Sequence, residues 1–166
     1  TAQAFSNSAL LTPKPIINPK LHILLRKGVQ SAGSPLLVTG PGTGLGVAAL
    51  LPSSSGPMVI EGEGGHASFA PRDGGERNIL AVLAAEFGHV SAERVVSGPG
   101  LETIYRIEND AGLAAPEIGA GAVAGDSKCV KAVNLMLKSF ATVAANAALS
   151  FGSGSGIVIA GGVVPR

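Results

Sequence analysis

The side chains best suited to chemistry are Glu63 and His66, three residues apart in the glycine-rich run Glu61–Gly–Glu–Gly–Gly–His66. A carboxylate can accept from two hydroxyls, and a neutral imidazole both donates and accepts, so the pair suits a polyhydroxylated ligand such as a sugar. Buried polar sites of this kind discriminate strongly, because a missing hydroxyl leaves a group unpaired. Two other readings fit the same spacing. One is a structural turn stabilised by a Glu–His pair. The other is a metal site, although a third ligand and the helical His-Glu-x-x-His arrangement are absent. Glu93, in Ser91–Ala–Glu–Arg94, reads from spacing alone as a carboxylate placed favourably at a helix N-terminus. Glu86 and His89 read as ordinary helix-end residues.

A second candidate is the loop Gly40–Pro–Gly–Thr–Gly–Leu–Gly46. Glycines let backbone N–H groups converge on a phosphate with no Cβ in the way, and Thr43 adds a hydroxyl donor. No Lys–Ser/Thr pair comes after the loop, and the next residues have strand character, so it is not a P-loop. It also misses the Rossmann spacing, because Leu45 stands where the third glycine belongs. A plain hairpin turn accounts for the same residues.

These groups need a scaffold, and the pattern around them supplies one. Leu36–Val38 and Val47–Leu51 read as strands flanking the glycine turn, with a third at Pro57–Ile60. A helix is expected over 73–88, capped near Asp73, ended by Gly88, and apolar along Ile79, Val82, Leu83 and Phe87. Ser91 is expected to cap a short helix through Arg94. Pro99 opens another, with Leu101, Ile104 and Tyr105 on one side. The longest helix is expected over 126–150, with Val130, Val133, Leu137, Phe140, Ala141, Ala144 and Leu149 at helical spacing. Ile157–Ala160 reads as a buried strand ended by Gly161–Gly162. This partial alternation predicts an α/β domain.

Composition narrows the function. The chain has 166 residues, enough for one domain with a real core. It is 46% hydrophobic and only 14% charged, the opposite of a disordered balance. Its 24 glycines are about double the usual share. Residues 1–60 carry four Lys/Arg and no Asp or Glu, a distribution compatible with an anionic ligand but equally with chance. Six aromatic residues and no basic stripe argue against nucleic-acid binding. The single cysteine, Cys129, excludes an internal disulfide and a multi-cysteine zinc site, reads as an ordinary helix residue, and fits a reducing cytoplasm. No apolar run reaches the ~18 residues of a membrane helix, and no signal peptide is visible. The start at Thr1 and the end at Arg166 lead us to expect a piece of a longer protein. Pro13, Pro15 and Pro19 make residues 1–30 a connector with short helical pieces.

Five stretches, in order, resemble the bacterial glucokinase family: Gly40–Pro–Gly–Thr–Gly–Leu–Gly46, Gly62–Glu–Gly–Gly–His66, Gly88–His–Val–Ser–Ala–Glu–Arg–Val95, Ser97–Gly–Pro–Gly–Leu101 and Ile159–Ala–Gly–Gly–Val–Val–Pro–Arg166. The resemblance runs from about residue 30 to the end. It implies an actin-like, ribonuclease-H-like fold with two lobes closing over sugar and ATP, residues 1–30 being a connector from the small lobe and 31–166 an incomplete large lobe. It further implies that Gly42, Thr43 and Gly44 cradle ATP phosphates and that Glu63, His66 and Glu93 bind glucose hydroxyls. That role for Glu93 reverses the reading from spacing alone. Gly161 and Gly162 would lie by the adenosine. The implied activity is glucose phosphorylation by ATP with Mg2+, the first step of glycolysis, in a cytoplasmic protein that pairs as a homodimer.

The family's N-terminal Asp-x-Gly-Gly-Thr loop and its Asn-Asp-Phe-Thr segment, whose Asp is the general base, are absent here. Thr1–Ala2 resembles the residues immediately C-terminal to that Phe, and the C-terminal helical segment is also missing. The 166-residue chain alone is therefore expected to have negligible kinase activity. The alternatives are a non-catalytic sugar-binding or interaction domain on the same fold, and a kinase for another hexose. A related repressor/kinase family with a multi-cysteine zinc site is disfavoured by the single Cys129.

Overall fold

The computed structural model describes residues 23–163. The expected helical pieces of the 1–30 connector and the last residues of the fifth stretch fall largely outside that range.

The glycine loop forms the hairpin its flanks predict. Strand β1 (Leu36–Pro41) and strand β2 (Leu45–Leu51) pair antiparallel, from Leu36 opposite Leu50 to Pro41 opposite Leu45. Strand β3 (Met58–Gly62) pairs antiparallel with β2. Strand β4 (Gly156–Ile159) returns parallel to β1, giving the order β3-β2-β1-β4. Strand alternation places Leu37, Thr39, Val47 and Ala49 on one face with Ile157 and Ile159. The buried Thr39 hydroxyl donates to the Gly46 carbonyl at 2.8 Å, so its polar atom is satisfied inside the sheet.

Among the described residues four α-helices form the second layer: α1 (Gly74–Phe87), α2 (Gly98–Asn109), α3 (Ala115–Val123) and α4 (Ser127–Phe151). Their starts are set by local chemistry. Asp73 accepts from the Glu76 N–H at 2.9 Å, and Glu76 Oε2 accepts from the Asp73 N–H at 3.3 Å, a reciprocal capping box. Ser97 Oγ accepts from the Gly100 N–H at 3.0 Å and caps α2, with Pro99 in the first turn. Asp126 accepts from the Cys129 N–H and caps α4. Ser91, expected to cap the short turn Ala92–Arg94, makes no side-chain capping bond. It is instead 8% exposed and lies opposite Ser68 in an isolated antiparallel bridge, whose bonds are made by its neighbours Val90 and Ala92. No pattern in the sequence singled out α3. Glu102 Oε1 on α2 accepts from the Ala115 N–H at 2.9 Å and fastens its start.

The core lies between α1, α2, α3 and α4 and the loop after β3. Ile79, Leu83, Ile104, Ile118, Met136 and Phe140 are at its centre. The buried face of α4 is Cys129, Ala132, Leu135, Met136, Ser139, Phe140 and Ala144. That corrects the expected stripe. Phe140 and Ala144 belong to it, but Leu149 is 82% exposed, because helices α2 and α3 meet α4 about one position round from the predicted line. By length and composition α4 could cross a membrane, since alanines raise its hydropathy without a run of large apolar residues. In this fold it packs against α2 and α3 as a core helix. On α1, Ile79 and Leu83 are buried, whereas Val82 and Phe87 are partly exposed, and the Arg94 guanidinium stacks 3.7 Å above the Phe87 ring. The expected buried strand at the C-terminal end is also corrected: Ile157 is 45% and Ile159 40% exposed, since β4 is the edge of the described sheet. Cys129 is buried in the core, and that burial pushes its thiol pKa up, as expected of an inert helix residue.

Glu76 is a buried carboxylate that ties the layers together. Its Oε1 accepts from Ser139 Oγ on α4 at 3.1 Å, and its Oε2 accepts from the Arg72 N–H at 2.5 Å. Three donors offset the desolvation of the charge.

Two stability experiments check this packing. Ile104→Ala should lose about 3 kcal/mol of unfolding free energy through its cavity, whereas Val123→Ala, on an 84% exposed side chain, should change it by less than about 0.5 kcal/mol. Equal losses in denaturant titrations would contradict the core assignment. Asp73 titrates below the ordinary carboxylate value of 3.8, held there by the Glu76 N–H and by Lys138 against an opposing desolvation. A depressed folded pKa gives stability that is present above the unfolded value and lost as pH falls through the folded one. Asp73→Asn should therefore lower the unfolding midpoint at neutral pH, and the gap from the parent should close as pH falls below 3.8. A gap of constant size would show that the charge contributes nothing.

Candidate functional site

The hairpin tip is the centre of the site, and ladder geometry explains what it does. In an antiparallel pair, bonded and non-bonded residue pairs alternate. The Gly42 N–H donates to the Gly44 carbonyl at 2.7 Å, so the adjacent pair Pro41–Leu45 is a non-bonded one, whose backbone groups turn outward. Pro41 therefore loses nothing in this ladder by lacking an N–H. Leu45 has an N–H aimed away from β1, beyond the last β3 pair, Val47–Gly62. Leu45 is only 6% exposed, so an unpaired N–H here would be costly. Glu93 Oε2 accepts it at 2.8 Å, across 48 residues of sequence.

Glu93 is carried to that position by backbone ties. The Ala92 N–H donates to the Ala67 carbonyl at 2.8 Å, and the Phe69 N–H to the Val90 carbonyl at 2.9 Å. These bonds join the turn Ala92–Arg94 to the segment leaving the Gly64–His66 turn. The Arg94–Phe87 stack holds the far side. Further along, the Gly98 N–H donates to the Gly42 carbonyl at 2.9 Å, so the start of α2 also touches the hairpin tip.

Glu63 and His66 stand at the cavity mouth. His66 Nε2 lies 3.7 Å from Glu63 Oε2, and both side chains are exposed, at 63% and 84% for His66 and Glu63. The expected buried pair is thus an open one: the buried part of this turn is Gly65, packed under Leu45, which leaves the flanking side chains pointing outward. Thr43, Gly44, Leu45, Gly46, Gly62, Glu63, His66 and Glu93 line one cavity of about 300 Å³. Its polar lining can receive a ligand rich in hydroxyls. A second hollow of about 250 Å³ between α4 and Ala67–Ala70 is mostly apolar, and its lining has no ionisable side chain.

Of the residues singled out from sequence, the structure brings Thr43, Gly44, Glu63, His66 and Glu93 around that cavity. Gly42 is outside that lining, its carbonyl held by the Gly98 N–H. Gly161 and Gly162 lie on the opposite side of the hairpin, where the Pro41 carbonyl faces outward and accepts from the Val163 N–H at 3.4 Å. Gly161 has φ +105°, and a Cβ there would overlap the Pro41 carbonyl, so only glycine suits the position; Gly162 meets no such limit. His89, assigned no role, has Nε2 3.2 Å from Ser68 Oγ. Sequence reasoning missed the Leu45 and Gly98 amides. The Ser97–Gly–Pro–Gly capping pattern was the available signal for Gly98; nothing local marks Leu45. Among the described residues no group of three or more His, Cys, Asp or Glu side chains gathers closely enough to hold a metal ion.

Comparison with known proteins places the fold and the family. A family model described as Glucokinase matches residues 8–166. The chain is 42% identical over 146 residues to a glucokinase of Chromobacterium violaceum, covering 84% of the chain and 42% of that protein. It is 44% identical over 156 residues to a glucokinase of Yersinia pestis, covering 89% of the chain and 48% of that protein. It therefore spans less than half the length of these relatives. The fold superposes on a crystal structure of glucokinase from an Antarctic psychrotroph with a TM-score of 0.84 and 30% identity, over 99% of this chain and 56% of that one. A glucokinase from Balamuthia mandrillaris, solved in complex with glucose, gives a TM-score of 0.68 at 26% identity, over 80% of this chain and 41% of that one. The sheet and helical layer are thus part of the actin-like ATPase fold, and this chain belongs to the glucokinase family.

Proposed function

We propose that the protein carrying this chain phosphorylates glucose with ATP to give glucose 6-phosphate, and that this half supplies the sugar-orienting groups and one phosphate loop. The observation that carries the reading is the shared cavity, where Glu63, His66 and Glu93 meet the Thr43–Gly44 tip. Phosphoryl transfer depends on placing the acceptor hydroxyl against the phosphate and on stabilising spread negative charge. Glu63, His66 and the free Oε1 of Glu93 serve the first need by engaging sugar hydroxyls. The hairpin amides and the Thr43 hydroxyl serve the second. Gly161 and Gly162, on the other flank of the hairpin, serve the adenosine end of the nucleotide.

Mg2+ belongs to the same proposal as an ion carried by the nucleotide phosphates. Among the described residues no three His, Cys, Asp or Glu side chains gather to hold it, so the nucleotide phosphates would supply its ligands. In this reading residues 31–166 are the large lobe and 1–30 the connector to a smaller one. The protein acts in the cytoplasm, at the entry to glycolysis, as a homodimer.

Calorimetric titration of glucose tests the site. Glu63→Gln and His66→Ala should each weaken binding by about 10-fold or more, the loss of a hydrogen bond to a charged or strongly polar group. Unchanged affinity in both variants would remove the sugar site from this cavity. A coupled assay on the whole protein then separates the classes: glucose bound without ADP release would mark a sugar-binding domain, and faster turnover of another hexose would mark a different kinase.

A further inference from the structure

Glu93 lines the cavity and also reaches the hairpin. Its Oε2 holds the Leu45 N–H at 2.8 Å, while a carboxylate has capacity for further hydroxyl donors on Oε1. The residue before Leu45 is Gly44, at the phosphate tip, and a Cβ there would stand 2.5 Å from Oε2 and 3.0 Å from Cδ of Glu93. The tip is also tied to the same segment by the Gly98 N–H on the Gly42 carbonyl. The hairpin and the Glu93 carboxylate are therefore in direct contact, with no room for a side chain at position 44 between them.

Resting on the sugar and phosphate assignments proposed above, we infer that Glu93 is a positioning residue for the phosphate hairpin as well as a sugar ligand, and that Gly44 is glycine so that this carboxylate can couple the two subsites. A sugar hydroxyl on Oε1 fixes the carboxylate, which fixes the Leu45 N–H and the orientation of the Gly42–Gly44 amides. A nucleotide on the amides does the reverse. Coupling of this kind is reciprocal by thermodynamic necessity. The charge of Glu93 strengthens its bond to the N–H relative to a neutral acceptor.

The test uses the whole protein, glucose, and the non-hydrolysable analogue β,γ-imido-ATP. Without glucose present, Glu93→Ala should weaken analogue binding about 5-fold or more, and Glu93→Gln should restore most of it, because the amide oxygen can still accept from Leu45. In the other direction, Gly44→Ala should weaken glucose binding about 5-fold or more and abolish the effect of the analogue on glucose affinity. Analogue affinity indifferent to Glu93→Ala, or glucose affinity indifferent to Gly44→Ala, would overturn the coupling. Amide NMR of the parent protein guards against a misfolded variant. The Leu45 resonance should shift on adding glucose alone, and a stationary resonance would also overturn it. Glu63→Gln separates this proposal from the functional reading. If it weakens glucose while Gly44→Ala does not, only the coupling fails; if the parent binds no glucose, both fail.

Discussion

One backbone N–H organises this half of the molecule. The alternation of an antiparallel ladder turns the Leu45 amide outward, and β3 ends too early to receive it. A buried donor must find an acceptor, and the fold brings Glu93 to it from 48 residues away. Everything that places Glu93 serves this contact: the bonds joining Ala67 and Phe69 to Ala92 and Val90, the Arg94–Phe87 stack, and the capped start of α2. The same bonds draw the Gly64–His66 turn alongside, so the cavity lining is assembled as one unit.

The helical layer supplies the stiffness behind that unit. Glu76 caps α1, binds the Arg72 and Asp73 amides and reaches Ser139 on α4. The segment leaving His66 is thus anchored at its far end to the longest helix. Lys138 on α4 lies 3.5 Å from Asp73 and Lys131 pairs with Glu108 on α2, but the first of these pairs is solvent-exposed and adds little. Apolar burial around Ile79, Ile104, Ile118 and Met136 is the larger contribution.

What could be read from the sequence was what is local. The hairpin, the Asp73 cap, the glycine stop at Gly88 and the proline in the first turn of α2 are each decided by a few adjacent residues. Helix α3 went unread because Ala115–Val123 has alanines and glycines where an apolar stripe would be, and only Ile118 is buried. The α4 stripe was misplaced for a related reason. In a helix so rich in small residues many lines fit the spacing, and the partners α2 and α3 choose among them. The strand β4 looked buried from its apolar run, but exposure depends on what lies beside it. For the candidate site, residue types pointed to Thr43, Glu63 and His66 and the family resemblance to Glu93, and all four line one cavity. The tie between Glu93 and the hairpin was invisible, since no local rule links a carboxylate to an amide so far away.

The charge of the cavity has a consequence for turnover. Among the described residues its ionisable lining consists of Glu63, Glu93 and His66, with no Lys or Arg. A neutral polyol enters such a pocket without opposing charge. A phosphate ester brings about two negative charges at neutral pH, and two carboxylates close by repel them. In the proposed reaction the same two carboxylates would therefore disfavour a phosphorylated sugar relative to the neutral one.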